Sequence, residues 1–134
     1  MIVLGIDPGY AIVGVGVIEY NGNKFRTIDY YAITTEAHTP FEERLKIIYE
    51  GINEAIEKYN PDFMSIEELF FNTNLKTGIS VAHGRGVVLL AGEEKGIPMY
   101  EYTPLQVKQA ITGYGRADKK QMMAMVTRLL DLKS

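Results

Sequence analysis

From Met1 to Asp7 the chain is almost continuously apolar, then meets a carboxylate and a Pro8-Gly9 break. A run without alternation suits a strand buried on both faces, which needs cover above and below. From Ile12 to Tyr20, Val13, Val15 and Val17 alternate with Gly14 and Gly16. Glycines on one face of a strand imply that something packs close against it. Asn21-Gly22 is a strong hairpin signal and fits a type I′ turn. Lys24–Thr34 then returns as a third, more polar strand near an edge.

Beyond the hairpin the period changes. Thr39-Pro40-Phe41-Glu42 reads as a helix start, with Thr39 as cap, Pro40 in the first turn and Glu42 completing a capping box. Leu45, Ile48, Tyr49, Ile52 and Ile56 recur at helical spacing until Asn60-Pro61 ends the pattern. Asp62–Leu69 predicts a short strand. A long helix over about Leu75–Lys95 follows, stopped by Gly96 and Pro98. Ile97–Tyr102 predicts another strand, Thr103-Pro104-Leu105-Gln106 starts a helix that Gly113 ends, and Asp118 with Gln121 opens a last one. The order βββ-α-β-α-β-α-α predicts an α/β fold: a mixed five-stranded sheet, three antiparallel strands followed by helix–strand crossovers, flanked by helices.

Composition narrows the chemistry. The 134 residues contain no cysteine, which excludes a disulfide scaffold, a Cys-ligated metal centre and a thiol nucleophile. A 46% hydrophobic content supports an ordinary core in a single domain. No apolar run reaches membrane-span length, and no basic region precedes the first strand, so a soluble, cytoplasmic protein is expected. The net charge of −3 hides an asymmetry. Residues 1–68 carry 5 Lys and Arg against 12 Asp and Glu, and residues 69–134 carry 9 against 5. An acidic half joined to a basic one can set a carboxylate site beside a phosphate-binding surface, although differently solvated helices would look the same.

Two positions carry most of the chemistry. Asp7 ends a strand, where crossover folds place functional groups, though an aspartate there can equally bond turn amides. Glu67-Glu68 ends the fourth strand, and only one of the pair can share a face with Asp7 because side chains alternate. If the first and fourth strands are parallel neighbours, two carboxylates converge. Such a pair is costly without a cation, and hard oxygen donors favour Mg²⁺ or Mn²⁺. Phe70 and Phe71 fit a core, or a wedge between nucleobases. Lys108, Arg116, Lys119 and Lys120 fit a solvated face, or an anionic partner near a helix start. His83 lies in a helix rich in small residues (Ala82, Gly84, Gly86, Ala91, Gly92) and reads as a surface or interface residue.

Five blocks in order resemble the RuvC family of Holliday-junction resolvases. They are Gly5-Ile6-Asp7-Pro8-Gly9 with Gly14-Val15-Gly16-Val17, then Ile66-Glu67-Glu68-Leu69-Phe70, Ala82-His83-Gly84-Arg85-Gly86-Val87, Tyr102-Thr103-Pro104-Leu105-Gln106-Val107-Lys108-Gln109, and Gly113-Tyr114-Gly115-Arg116-Ala117-Asp118-Lys119. The resemblance implies an RNase H-like fold and a homodimer that nicks four-way DNA junctions symmetrically with two Mg²⁺ or Mn²⁺ per active site. It implies metal-ligand and catalytic roles for Asp7 and Glu67, a junction-core role for Phe70 and DNA contacts for Lys108 and Lys119; Arg116 joins these as a DNA-binding candidate. RuvA and RuvB branch-migration proteins are the partners it suggests.

The family site also uses two aspartates on a further helix, and the sequence given stops at Leu132-Lys133-Ser134 before such a stretch. Residues 1–134 are therefore expected to be one nuclease domain, truncated before the last catalytic helix and of little or no activity as it stands. Asp131 is a poor substitute. The alternative class is a non-catalytic junction-binding or dimerisation module of the same fold. A YqgF-like relative would better suit the length, but the Phe70-Phe71 pair and the Val107-Lys108-Gln109 segment argue against it; an actin-like ATPase would need a second domain.

Overall fold

A computed structural model describes residues 1–9, 11–21, 24–67 and 75–102. The elements run β1 (Ile2–Asp7), β2 (Ile12–Asn21), β3 (Lys24–Thr34), α1 (Phe41–Tyr59), β4 (Phe63–Glu67), α2 (Leu75–Glu94) and β5 (Met99–Tyr102). They form one five-stranded sheet in the order β3-β2-β1-β4-β5. β1 is antiparallel to β2 and parallel to β4, and β4 is parallel to β5. The mixed sheet expected from the element order is thus present. The two helices predicted after Tyr102 fall outside the described residues.

One layer of core holds both helices to the sheet. Leu4 and Ile6 of β1, Val13, Val15 and Val17 of β2, and Met64 and Ile66 of β4 alternate onto one face. Ile48, Ile52, Ala55 and Ile56 of α1 and Val88 and Ala91 of α2 meet them there. Two small residues of α2, Ala91 and Gly92, serve this packing. A Cβ on Gly92 would sit 2.8 Å from the Met99 sulfur and 2.9 Å from that of Met64, so glycine lets the helix backbone lie against β4 and β5. Arg85 reaches from α2 to Glu101 of β5 in a 2.6 Å ion pair.

The helix ends explain themselves in part. Gly96 adopts φ +67, and the bonds from Ile97 N–H to the Gly92 carbonyl and from Gly96 N–H to the Glu93 carbonyl close α2 in a Schellman motif. The start of α1 departs from the expected capping box. The cap position is Pro40, with no side-chain cap hydrogen bond. Its carbonyl accepts from the N–H groups of Glu43 and Arg44, while Thr39 N–H is already spent on the Glu36 carbonyl. Glu42 and Glu43 still place negative charge in the first turn, where the helix dipole favours it.

The hairpin also differs in detail. Asn21 pairs with Lys24, so Asn21 belongs to β2 and the connection falls at positions 22 and 23, outside the described residues. β3 closes the sheet as an edge strand, as its polarity suggests.

Candidate active site

The site is built by register. β1 and β4 run parallel with Val3 opposite Phe63, Leu4 opposite Met64, Gly5 opposite Ser65 and Ile6 opposite Ile66. The next step sets Asp7 beside Glu67, one strand spacing apart, about 4.8 Å between backbones. Both are the last residues of their strands and both are half-buried. Cross-strand neighbours project from the same face, so the two carboxylates share one side of the sheet. Alternation puts that side opposite the Leu4, Ile6, Met64 and Ile66 layer and therefore opposite α1 and α2.

This parity decides between the two glutamates that sequence pattern leaves open. Glu67 shares the face of Asp7. Glu68 lies outside the described residues.

Tyr102 of β5 pairs with Glu67, whereas the β2 side of Asp7 carries almost no side chain. Asp7 pairs with Gly14 of β2, and Gly5 pairs with Gly16. One strand further, Gly14 pairs with Ala32. The carboxylates thus stand beside a strip of glycine and alanine, which lets a bulky backbone approach the sheet closely. A turn fixes the end of β1: a Cβ on Gly9 would collide with the carbonyl oxygen of Ile12, so only glycine follows Pro8 there.

Ser65 is a residue that sequence reading passes over. It lies two positions before Glu67, which is the signal that places it on the same face. It is fully buried, and its hydroxyl has no hydrogen-bond partner among the described residues.

The donor chemistry fits a hard divalent cation. Two carboxylates on adjacent rungs repel each other unless positive charge sits between them, and their oxygens match Mg²⁺ or Mn²⁺ better than a soft metal. Among the described residues, no cluster of three or more acidic or histidine side chains forms a complete ligand set. Phe70, Lys108, Arg116 and Lys119 all lie outside the described residues. His83 is exposed on α2 and stands edge-on to Phe41, with ring centroids 5.3 Å apart, away from the carboxylates.

Known proteins share this architecture and sequence. The family model for crossover junction endodeoxyribonuclease RuvC matches residues 3–134. The chain belongs to the RuvC family. It is 58% identical over 133 residues to the crossover junction endodeoxyribonuclease RuvC of Clostridioides difficile, a match covering 99% of this chain and 79% of that protein. Thermus thermophilus RuvC superposes with a TM-score of 0.77 at 36% identity, covering 100% of this chain and 82% of that one. The same RuvC in complex with a Holliday junction substrate superposes with a TM-score of 0.77 at 34% identity, covering 84% and 71%. The fold is the RNase H-like one that the RuvC resemblance implies. No described helix is long and apolar enough to cross a membrane. Nothing in these relatives supports the expectation that the chain is inactive.

Proposed function

We propose that this RuvC-family chain is an endonuclease that resolves four-way DNA junctions by metal-dependent phosphodiester hydrolysis, with Asp7 and Glu67 as metal ligands. The observation that carries the reading is the parallel β1–β4 register that sets these two acids side by side on one face. A chain of this family with that pair at its strand ends has the donor set that hard-metal phosphoryl chemistry uses.

Asp7 and Glu67 hold Mg²⁺ or Mn²⁺, two ions per site in the complete arrangement. Such ions, when bound, stabilise charge on the phosphate oxygens and favour attack by water. The contribution of the chain is placement. Backbone pairing fixes the spacing of the two carboxylates, and the glycine strip beside them gives a DNA backbone room to reach their oxygens. Phe70 is assigned to the junction core, and Lys108, Arg116 and Lys119 to phosphate contacts that position DNA without reading its sequence. Overall acidity is compatible with this, since local basic surface sets phosphate binding.

A homodimer with two-fold symmetry presents identical sites to a two-fold junction, which accounts for paired nicks. RuvA and RuvB are the proposed partners, and the cytoplasm the proposed location. The test uses a synthetic four-way junction with Mg²⁺. It compares this chain with a version carrying the residues that the Clostridioides difficile relative has beyond the match. Symmetrical nicking that Glu67→Gln abolishes supports the proposal. Junction binding with no nicking in either version favours a non-catalytic module.

A further inference from the structure

The groove between the edge strand β3 and helix α1 lies far from the carboxylate pair in both chemistry and sheet face. Two adjoining cavities of about 280 and 300 Å³ run along it and share Tyr31 and Glu54. One end is apolar, formed by Ile33 of β3 and the exposed Ile47 of α1. The other end holds Asp29 of β3 and Lys58 of α1; Glu54 lines both cavities, and Glu50, one helical turn earlier, borders the Ile33 and Ile47 end. Among the described residues, Lys58 is the only basic one lining either cavity, and its ammonium sits 5.2 Å from the centre of the Tyr59 ring.

Three features restrict what can occupy this groove. The outer edge of β3 has no neighbouring strand among the described residues, so its main-chain groups offer a template for one more strand. Asp29, Tyr31 and Ile33 alternate onto the α1 side, opposite Val17, Val15 and Val13, so an added strand would send every second side chain into the groove. The charge selects the rest. Like charges at Glu50 and Glu54 destabilise each other one turn apart, and Asp29 faces the same space, so a cation is favoured and a nucleic-acid backbone repelled.

We propose that β3 and α1 form a docking site for an extended segment of a partner protein. The segment joins the sheet edge as a further strand, carrying an apolar side chain toward Ile33 and Ile47 and a Lys or Arg toward Asp29 and Glu54. The two anchors stand four strand positions apart, about 13 Å, the spacing from Asp29 to Ile33. Main-chain pairing supplies adhesion, and the two unlike ends of the groove fix direction and register. Gly51 of α1 sits at the narrow point, where a Cβ would come 2.7 Å from Ile33 Cδ1, so the helix closes the groove floor against β3 there.

The probe is a labelled peptide of about ten residues, alternating Thr with Val toward one end and Lys toward the other. It is titrated into the whole chain by fluorescence anisotropy, with amide chemical shifts locating the contact. The expected result is binding with shifts confined to β3 and α1, weakened about tenfold or more by the double reversal Glu50→Lys/Glu54→Lys. A peptide with Glu in place of Lys recovers binding to that variant, and alternate N-methylation of the peptide abolishes it. Both glutamates are exposed, so the variant retains its fold and its junction nicking. An unchanged affinity in the variant, or equal binding of the N-methylated peptide, overturns the proposal. A dimer of this chain that the double reversal dissociates also overturns it, in favour of a second copy as occupant.

Discussion

Asp7 and Glu67 are separated by sixty positions in sequence and by a single step between neighbouring strands in space. The pair is produced by one crossover through α1, which returns the chain to lie parallel to β1. Nothing but the register is needed to bring the acids together.

Replacing either acid by its amide tests the pair directly. Asp7→Asn or Glu67→Gln is expected to reduce junction nicking at least about a hundredfold, the upper end of the loss seen when only a ligand's supporting partner is removed. A chelator has the same effect on the parent chain. Added Mg²⁺ stabilises the parent and leaves the Glu67→Gln variant unmoved. Equal stabilisation of both by Mg²⁺ contradicts the assignment.

Ser65→Ala is expected to leave stability unchanged or to raise it by up to about 1–3 kcal/mol. A buried hydroxyl without a partner has lost its water and gained nothing in exchange. Urea midpoints at constant m-value measure this. A loss of stability would reveal a hydrogen bond at Ser65.

Gly92→Ala is expected to destabilise by about 1–3 kcal/mol, since the new methyl group lands on the sulfurs of Met99 and Met64. Met99→Ala in the same chain removes one of the two obstacles. The double variant therefore loses less than the sum of the single ones, and a double-mutant cycle by denaturation reads the coupling.

Alkaline pH should unfasten the β3–α1 junction. Burial raises the Tyr31 phenol above its ordinary 10.0, and nearby Tyr59 and Asp29 add to the shift. Tyr59 is raised chiefly because its hydroxyl donates to Asp29 Oδ2 at 2.6 Å. In the folded chain both favour the protonated form more than in the unfolded chain. Their stabilising contribution is complete below the ordinary value and drains as pH climbs through the raised ones. Tyrosinate absorbance and the unfolding midpoint followed together above pH 10 check this. Tyr59→Phe should remove part of the pH dependence.

Much of this arrangement can be read from the chain. The uninterrupted Met1–Asp7 run, the valine and glycine alternation of β2 and the spacing from Leu45 to Ile56 each carry a periodicity that only one element type satisfies. Asp7 stands out as the sole charge ending an apolar run. Glu67 does not, because two adjacent glutamates differ only in parity, and parity is set by pairing with β1. The cap of α1 misleads for a related reason. Thr39 has the right chemistry, but its N–H turns back to Glu36 and the helix begins on the Pro40 carbonyl. Ser65 is silent in the sequence because a buried serine looks like any other strand residue.

The interval between the two acids belongs to the peptide ladder and not to the oily layer on the reverse of the sheet. Core residues such as Ile66 or Val15 can therefore drift among relatives without retuning the gap, whereas a one-residue slip of β4 would turn Glu67 to the wrong side and silence the centre at a stroke. Divergence should be free in composition and closed to insertions between Val3 and Asp7 or between Phe63 and Glu67.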